Sequence, residues 1–220
     1  MSSPRRAYEA KLAELNETLL SMSRAAEDML RKALVALQTR DVALADEAIR
    51  DDDRVDFYNH DIENRCLKLI ATQQPAARDL RVIFAALGIA TDVERVGDYA
   101  VDIAKTAKRL ADRPLFKPLV DIPHMADLVR TMLERAIEGF VSRDLSMVKA
   151  MIDMDDDVDH LYKALHEELV DFMKQDAGLI DQCVQLLLIT RYLERVADHI
   201  TNIGERVYYV ETGELKELHQ

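Results

Sequence analysis

The sequence has no tryptophan, and aromatic residues make up only 5% of its 220 positions. Glycine (six) and proline (five) are sparse as well. So few turn-forming residues argue against the many short, closely turned strands of a sandwich or barrel. Two cysteines, Cys66 and Cys183, stand far apart and form no Cys-x-x-Cys pair. That excludes a disulfide framework and a zinc knuckle, and fits a reducing, cytoplasmic location. No apolar run approaches the ~20 residues a membrane span needs, so direct membrane insertion is not expected. The opening Met-Ser-Ser-Pro-Arg-Arg is not followed by an apolar stretch, so a secretory signal is not expected either. Positive charge is also short: 29 Lys and Arg face 41 Asp and Glu, for a net charge of -12. Nucleic acid needs a basic face and is excluded as a direct partner. A free anion such as phosphate would be repelled, and cations are the natural counterparts.

The motifs of common enzymes are missing too. There is no Gly-rich phosphate loop, no Gly-x-Ser-x-Gly elbow and no His-Glu-x-x-His. None of the six histidines has a Glu three residues before it, which removes the ferritin-like di-iron pattern. The chain is not expected to be an enzyme, although a carboxylate-bridged metalloenzyme is the rival to weigh.

What is present is helix-forming and duplicated. Apolar residues reach 49% and charged residues 32%, a balance that favours helices with one buried stripe. MLRKALVALQTRDVALADEAIRDDDRVD from Met29 aligns with MLERAIEGFVSRDLSMVKAMIDMDDDVD from Met132. VERVGDYAVDIAK from Val93 aligns with LERVADHITNIGE from Leu193. Equivalent positions are therefore 103 apart in the first pair of segments and 100 apart in the second. Each copy reads as three helices, near 7–39, 41–72 and 76–111, then near 123–142, 144–174 and 179–209. Asp41 and Asp144 are N-cap candidates, and Pro75 and Gly178 break the chain before the third helix of each copy. Pro114, Pro118 and Pro123 mark the connection, with Pro123 suited to a first helical turn. This gives a first repeat over 1–112, a linker over 113–122 and a second repeat over 123–220. The fold class is all-α, two tandem three-helix bundles related by a pseudo-twofold axis.

Periodicity marks the buried faces. Ala86, Ile89, Val93, Val96, Ala100 and Ile103 recur at spacings of three and four, as do Leu186, Ile189, Leu193, Val196, Ile200 and Ile203. Such seams pack antiparallel helices together. Val55, Ile62 and Leu69 form a matching stripe, repeated by Val158, Leu165 and Phe172. Met22, Met29, Met132, Met147, Met151 and Met154 read as core or interface fillers.

The chemistry lies in carboxylates. Glu94, Asp98 and Asp102 are spaced i, i+4, i+8 and share one helix face, nearly opposite the seam. Asp52 and Asp56 form an i, i+4 pair on the preceding helix. The second copy repeats both features as Asp155 with Asp159, and Glu194 with Asp198. If those helices lie side by side, four carboxylates meet. Oxygen donors suit Mg²⁺, Ca²⁺ and Mn²⁺, and bridging carboxylates also hold Fe or Zn. The plain alternative is a solvated acidic surface, and duplication copies such a surface too. His199 follows Asp198 and can supply a ligand, but Tyr99 stands at its equivalent. His60, His160 and His166 are most simply surface residues. Arg95 and Arg195 are expected to form ion pairs with a neighbouring helix.

The segment ATQQPAARDLRVIFAALGIATDVERVGDYAVDIAK (71–105) resembles the signature region of PhoU proteins. There a Gln-Pro-x-Ala-x-Asp-Leu-Arg run precedes a Leu-Glu-Arg-Ile-Gly-Asp motif. RYLERVADHITNIGERV (191–207) resembles the family's second copy of that motif. The resemblance covers essentially the whole chain. It implies two three-helix bundles, a cytoplasmic negative regulator of the phosphate-starvation response, and dimers. It also implies contacts with the ATPase subunit of the phosphate ABC transporter and with a membrane sensor histidine kinase. It further implies multinuclear metal sites at Asp52, Asp56, Glu94 and Asp98, with Asp102, and at Asp155, Asp159, Glu194 and Asp198. Asp102 departs from the pattern, since the family more often has the amide that Asn202 carries. A paralogue serving another transporter would share all of these motifs.

Overall fold

A computed structural model of the chain describes residues 4–214 and 216–217. Residues 1–3, in the segment read above as no signal, and residues 215 and 218–220, at the end of the second repeat, lie outside the described part. Among the described residues there is no strand. The helices are α1 (Pro4–Thr39), α2 (Val42–Arg50), α3 (Asp52–Gln73), α4 (Ala77–Leu110), α5 (Asp121–Ser142), α6 (Leu145–Gln175) and α7 (Ile180–Thr212). A single 3-10 turn, Ala177–Leu179, leads into α7.

The turns follow local chemistry. Arg40 and Arg143, at equivalent places, both take the left-handed conformation (φ 59° and 61°) that ends a helix and reverses the chain. The next residue then caps the following helix. The Asp41 carboxylate accepts from the Leu44 amide at 3.0 Å, and that of Asp144 from the Ser146 amide at 2.8 Å. Asp176 caps the 3-10 turn through the Gly178 amide. Gln74 is left-handed just before Pro75, and α4 starts two residues later.

One boundary differs from the sequence reading. The helix expected over 41–72 is interrupted at Asp51, between α2 and α3. The interruption falls where the repeats differ. The Asp51 carboxylate reaches Lys32 of α1 at 2.5 Å, whereas its equivalent, Met154, packs on the core and α6 runs on unbroken. The break also places Asp52 and Asp53 in a first helical turn, where the helix dipole favours negative charge.

α1, α3 and α4 form one bundle, and α5, α6 and α7 the other. The largest interface joins the two through α4 and α7. Arg78 meets Glu211, Asp92 meets Arg206, Tyr99 meets Tyr192 and Arg113 meets Asp181. Rising numbers on α4 pair with falling numbers on α7, so the two helices are antiparallel. Tyr99 and His199 are repeat equivalents, and their rings are 5.9 Å apart. A residue that meets its own equivalent marks the pseudo-twofold axis. All twelve residues of the two predicted seams are fully buried. Phe172, at the end of the α6 stripe, is only partly buried and packs edge-on against Phe116. Met22, Met29, Met132 and Met151 are buried, and Met154 packs on the core.

Ile89 sits in the middle of the α4 seam with no solvent exposure. Ile89→Ala is expected to lose about 2–5 kcal/mol, the range for emptying a fully packed aliphatic site. Urea unfolding followed by circular dichroism measures it, with the helical signal before the transition unchanged.

Candidate functional site

α3 and α4 approach closely at Gly97. A Cβ there would stand 3.3 Å from Cγ1 of Val55 and 3.5 Å from Oδ1 of Asp52. That approach sets the acidic rows side by side: Asp52 and Asp56 flank Val55, and Glu94 and Asp98 flank Gly97. The four carboxylates act on one another. Burial, then the charges of Asp56, Asp98 and Asp53, hold the Asp52 carboxyl above its usual range. Burial, then Asp98, Asp56 and Asp52, do the same for Glu94, against the opposing pull of Arg95.

The second repeat builds the same patch from α6 and α7. Burial, then Asp198, and more weakly Asp159, raise the Glu194 carboxyl, while Arg191 and Arg195 oppose them. Asp155 is buried one turn before Asp159 on α6. Glu194 Oε1 accepts from Arg191 at 2.7 Å, but Oε2 is sealed from solvent with no hydrogen-bond partner. Asp102 is not among the charges that act on Asp52 or Glu94. Its charge acts on Tyr192 of α7, whose phenol is raised by burial first and by Asp102 second.

Two arginines behave differently from the sequence reading. Arg95 does not reach across to another helix. It pairs along α4, with Asp98 at 2.6 Å and Glu94 at 3.5 Å. Arg195 does the same along α7, with Asp198 at 3.1 Å and Glu194 at 3.9 Å. The i, i+3 spacing puts each arginine above its own acidic row, which is the shorter reach. Among the described residues no three His, Cys, Asp or Glu side chains converge as a metal ion would hold them. The donor chemistry nonetheless fits a hard cation. Each patch sets partly buried carboxylates against like charge, and one buried oxygen has no donor. A bound cation would displace Arg95 or Arg195 as the local counter-charge.

Sequence reasoning missed a further group on the axis. Asp92 of α4 is buried and bridges the repeats. Its Oδ1 lies 3.1 Å from Nδ1 of His199, and its Oδ2 accepts from Nε of Arg206 at 3.0 Å. Gly88 makes room for this: a Cβ there would stand 2.2 Å from the Arg206 guanidinium. The one signal available was the mismatch between Asp92 and its equivalent, Tyr192. Both cysteines are buried free thiols, and burial pushes the Cys66 thiol up to about 12.

The PhoU domain model matches twice, over residues 19–107 and 122–207. A PhoU homologue from Clostridium acetobutylicum, named a phosphate-specific transport system accessory protein, is 39% identical over 97% of this chain and 98% of its own length. Its counterpart from Aquifex aeolicus is 38% identical over 93% of both chains. The crystal structure of PhoU from Pseudomonas aeruginosa superimposes with a TM-score of 0.89 at 31% identity, over 94% of this chain and all of that one. The phosphate transport system regulatory protein PhoU from Streptococcus pneumoniae gives 0.88 at 32% identity, over 95% and 99%.

Raised carboxyls have a signed consequence. A carboxyl whose folded pKa lies above its unfolded value binds its proton more tightly when folded. Its stabilising contribution is present below the ordinary range, near about 4.3 for Glu, and is lost as pH rises through the raised value. In chelator-treated protein, Glu94→Gln with Glu194→Gln is therefore expected to be more stable than wild type at neutral pH. The gain should be at least about 0.3 kcal/mol, the cost of one like-charged i, i+4 pair. The difference should close near pH 3.5, and paired urea titrations at the two pH values check it.

Proposed function

The chain belongs to the PhoU family, and from that premise we propose that it is a non-enzymatic accessory protein of a phosphate transport system. In this reading it is a cytoplasmic negative regulator of the phosphate-starvation response. It relays the status of the phosphate ABC transporter, through the ATPase subunit, to the membrane sensor histidine kinase by protein contact. The observation that carries the reading is the match over nearly the full length, in both repeats, to proteins named for phosphate-specific transport. Two structural features support it. The described residues form long helices that offer extended faces for protein contact, and their cysteines are buried. No helix among them is long and apolar enough to cross a membrane, so any membrane partner is met through its soluble surface.

The acidic patches belong to this reading as cation sites. The first is Asp52, Asp56, Glu94 and Asp98, with Asp102 at its edge. The second is Asp155, Asp159, Glu194 and Asp198. Fe, Zn, Mg, Mn and Ca all accept oxygen donors of this kind. A cation at either patch would offset the burial and the like charge that raise Glu94 and Glu194, and would clamp α3 to α4 or α6 to α7.

Asp98→Ala with Asp198→Ala is expected to lower the metal retained after dialysis, read by elemental analysis, while helicity stays within a few per cent. Equal stoichiometry in the double variant would sink the site assignment. The regulatory reading is tested in the native host. Deletion should raise alkaline phosphatase activity in phosphate-rich medium, and complementation should repress it. Unchanged activity would point to a paralogue that serves another transporter.

A further inference from the structure

The first three turns of α4, the end of α3 and the last turn of α7 line an open groove of ≈ 510 Å³. Ile70, Leu80, Phe84, Leu87 and Tyr209 line it. Large apolar side chains here stand in solvent: Leu80 is 44% exposed and Phe84 62%. Leu67, one turn from Ile70 on α3, is 63% exposed. Apolar side chains gathered around a groove mark an interaction surface more often than single exposed residues do. The second repeat supports this. Ile180 and Val184, the equivalents of Leu80 and Phe84, are 42% and 40% exposed. Both pairs have diverged in shape and stayed apolar, although the core needs neither.

The polar groups of the groove indicate what covers it. Arg81 lies along the wall with its Nε sealed from solvent and without a hydrogen-bond partner. Arg78 stands exposed one turn before Arg81 on α4, on a chain whose net charge is -12. Arg78 holds Glu211 at 2.7 Å, which leaves Glu211 Oε1 buried without a donor. An apolar cleft with an unsatisfied guanidinium at its wall is complementary to an apolar anchor beside a carboxylate. Side chains that far apart along one face occur together on a helix at i, i+3 or i+4.

We propose that this groove receives an amphipathic helix of a partner protein, carrying one bulky apolar side chain and, a turn away, a carboxylate that pairs with Arg81. The assignment rests on the reading that the chain works by protein contact, and adds the surface that makes the contact. Seating such a helix would bury Leu80 and Phe84 and set its carboxylate against the terminal nitrogens of the Arg81 guanidinium, beside Gly213.

The test uses the full chain against two probes, the purified phosphate-transporter ATPase subunit and the detergent-solubilised sensor kinase of the same host. Phe84→Glu and Arg81→Glu are each expected to weaken binding of one probe by about tenfold or more, as loss of a central anchor does. Val120→Glu, at an equally exposed apolar site outside the groove (68%), should bind as wild type does. If wild type binds and both groove variants match it within twofold, the groove is overturned while the regulatory reading stands. If wild type binds neither probe, the partner reading of the preceding section falls and this proposal with it. If Phe84→Glu instead turns a sedimenting dimer into a monomer and leaves both probes bound, the groove joins two copies of this chain and the proposal is wrong.

Discussion

The relative placement of the two repeats depends on the antiparallel packing of α4 on α7. Each of these helices buries its own fully apolar seam in the interior of its repeat, and apolar burial supplies most of the energy of folding. A seam of similar aliphatic residues says little about register, however, because one turn of slip also buries it. The Asp92 cluster supplies what the seam lacks. A buried carboxylate held by Arg206 and His199 of the other repeat leaves an uncompensated charge at any other register, a penalty of about 3–5 kcal/mol. With register set, the axis passes beside Tyr99 and His199, and each acidic row takes a fixed place on either side of it.

The acidic rows are an unfinished electrostatic problem. Packing α3 on α4 at Gly97 sets Asp52 and Glu94 where burial, and then the neighbouring charges of Asp56 and Asp98, raise their proton affinity. A helix pair gains nothing from that in isolation. Arg95 and Arg195 relieve part of it from within the same helices, yet both arginines are half-exposed, so water screens much of their effect. Partial neutralisation of this sort suits exchange. A divalent cation has to outcompete one guanidinium per patch, and a protein that retains that guanidinium keeps its fold without the cation. On the proposal of cation binding, the carboxylates would be a place where binding changes helix clamping rather than a place that folding requires.

Much of this was legible in the sequence, and the divide between what was and was not is physical. The seams, the caps at Asp41 and Asp144 and the acidic rows all depend on spacing along one helix, which a sequence displays directly. The break at Asp51 depends on Lys32 reaching over from another helix. The Asp92 bridge depends on two residues more than a hundred positions away. The pairing of Arg95 with its own helix was open to spacing, since Asp98 stands three residues on. It was misassigned because a tertiary partner was favoured over the nearer local one. Asp102 belonged to the acidic row by spacing, but a row of i, i+4, i+8 turns slowly around a helix. By its third member it has moved from α3 toward Tyr192 of α7.

Duplication explains why shape and chemistry separate so cleanly here. The first helix of each repeat packs on the third and hides its seam, which leaves the outer stripes of α4 and α7 open. Each stripe runs from an apolar pair near the start of its helix to an acidic row near the middle: Leu80 and Phe84 to Glu94 and Asp98, Ile180 and Val184 to Glu194 and Asp198. The members of a stripe lie on one rigid helix, about 20 Å apart at 1.5 Å per residue. A cation that tightens α3 against α4 at the acidic row acts on the same two helices that form the wall of the groove. If both proposals hold, the groove and the patch share α3 and α4, and a signal between them would need no change of fold, only a small change in how closely α3 lies on α4.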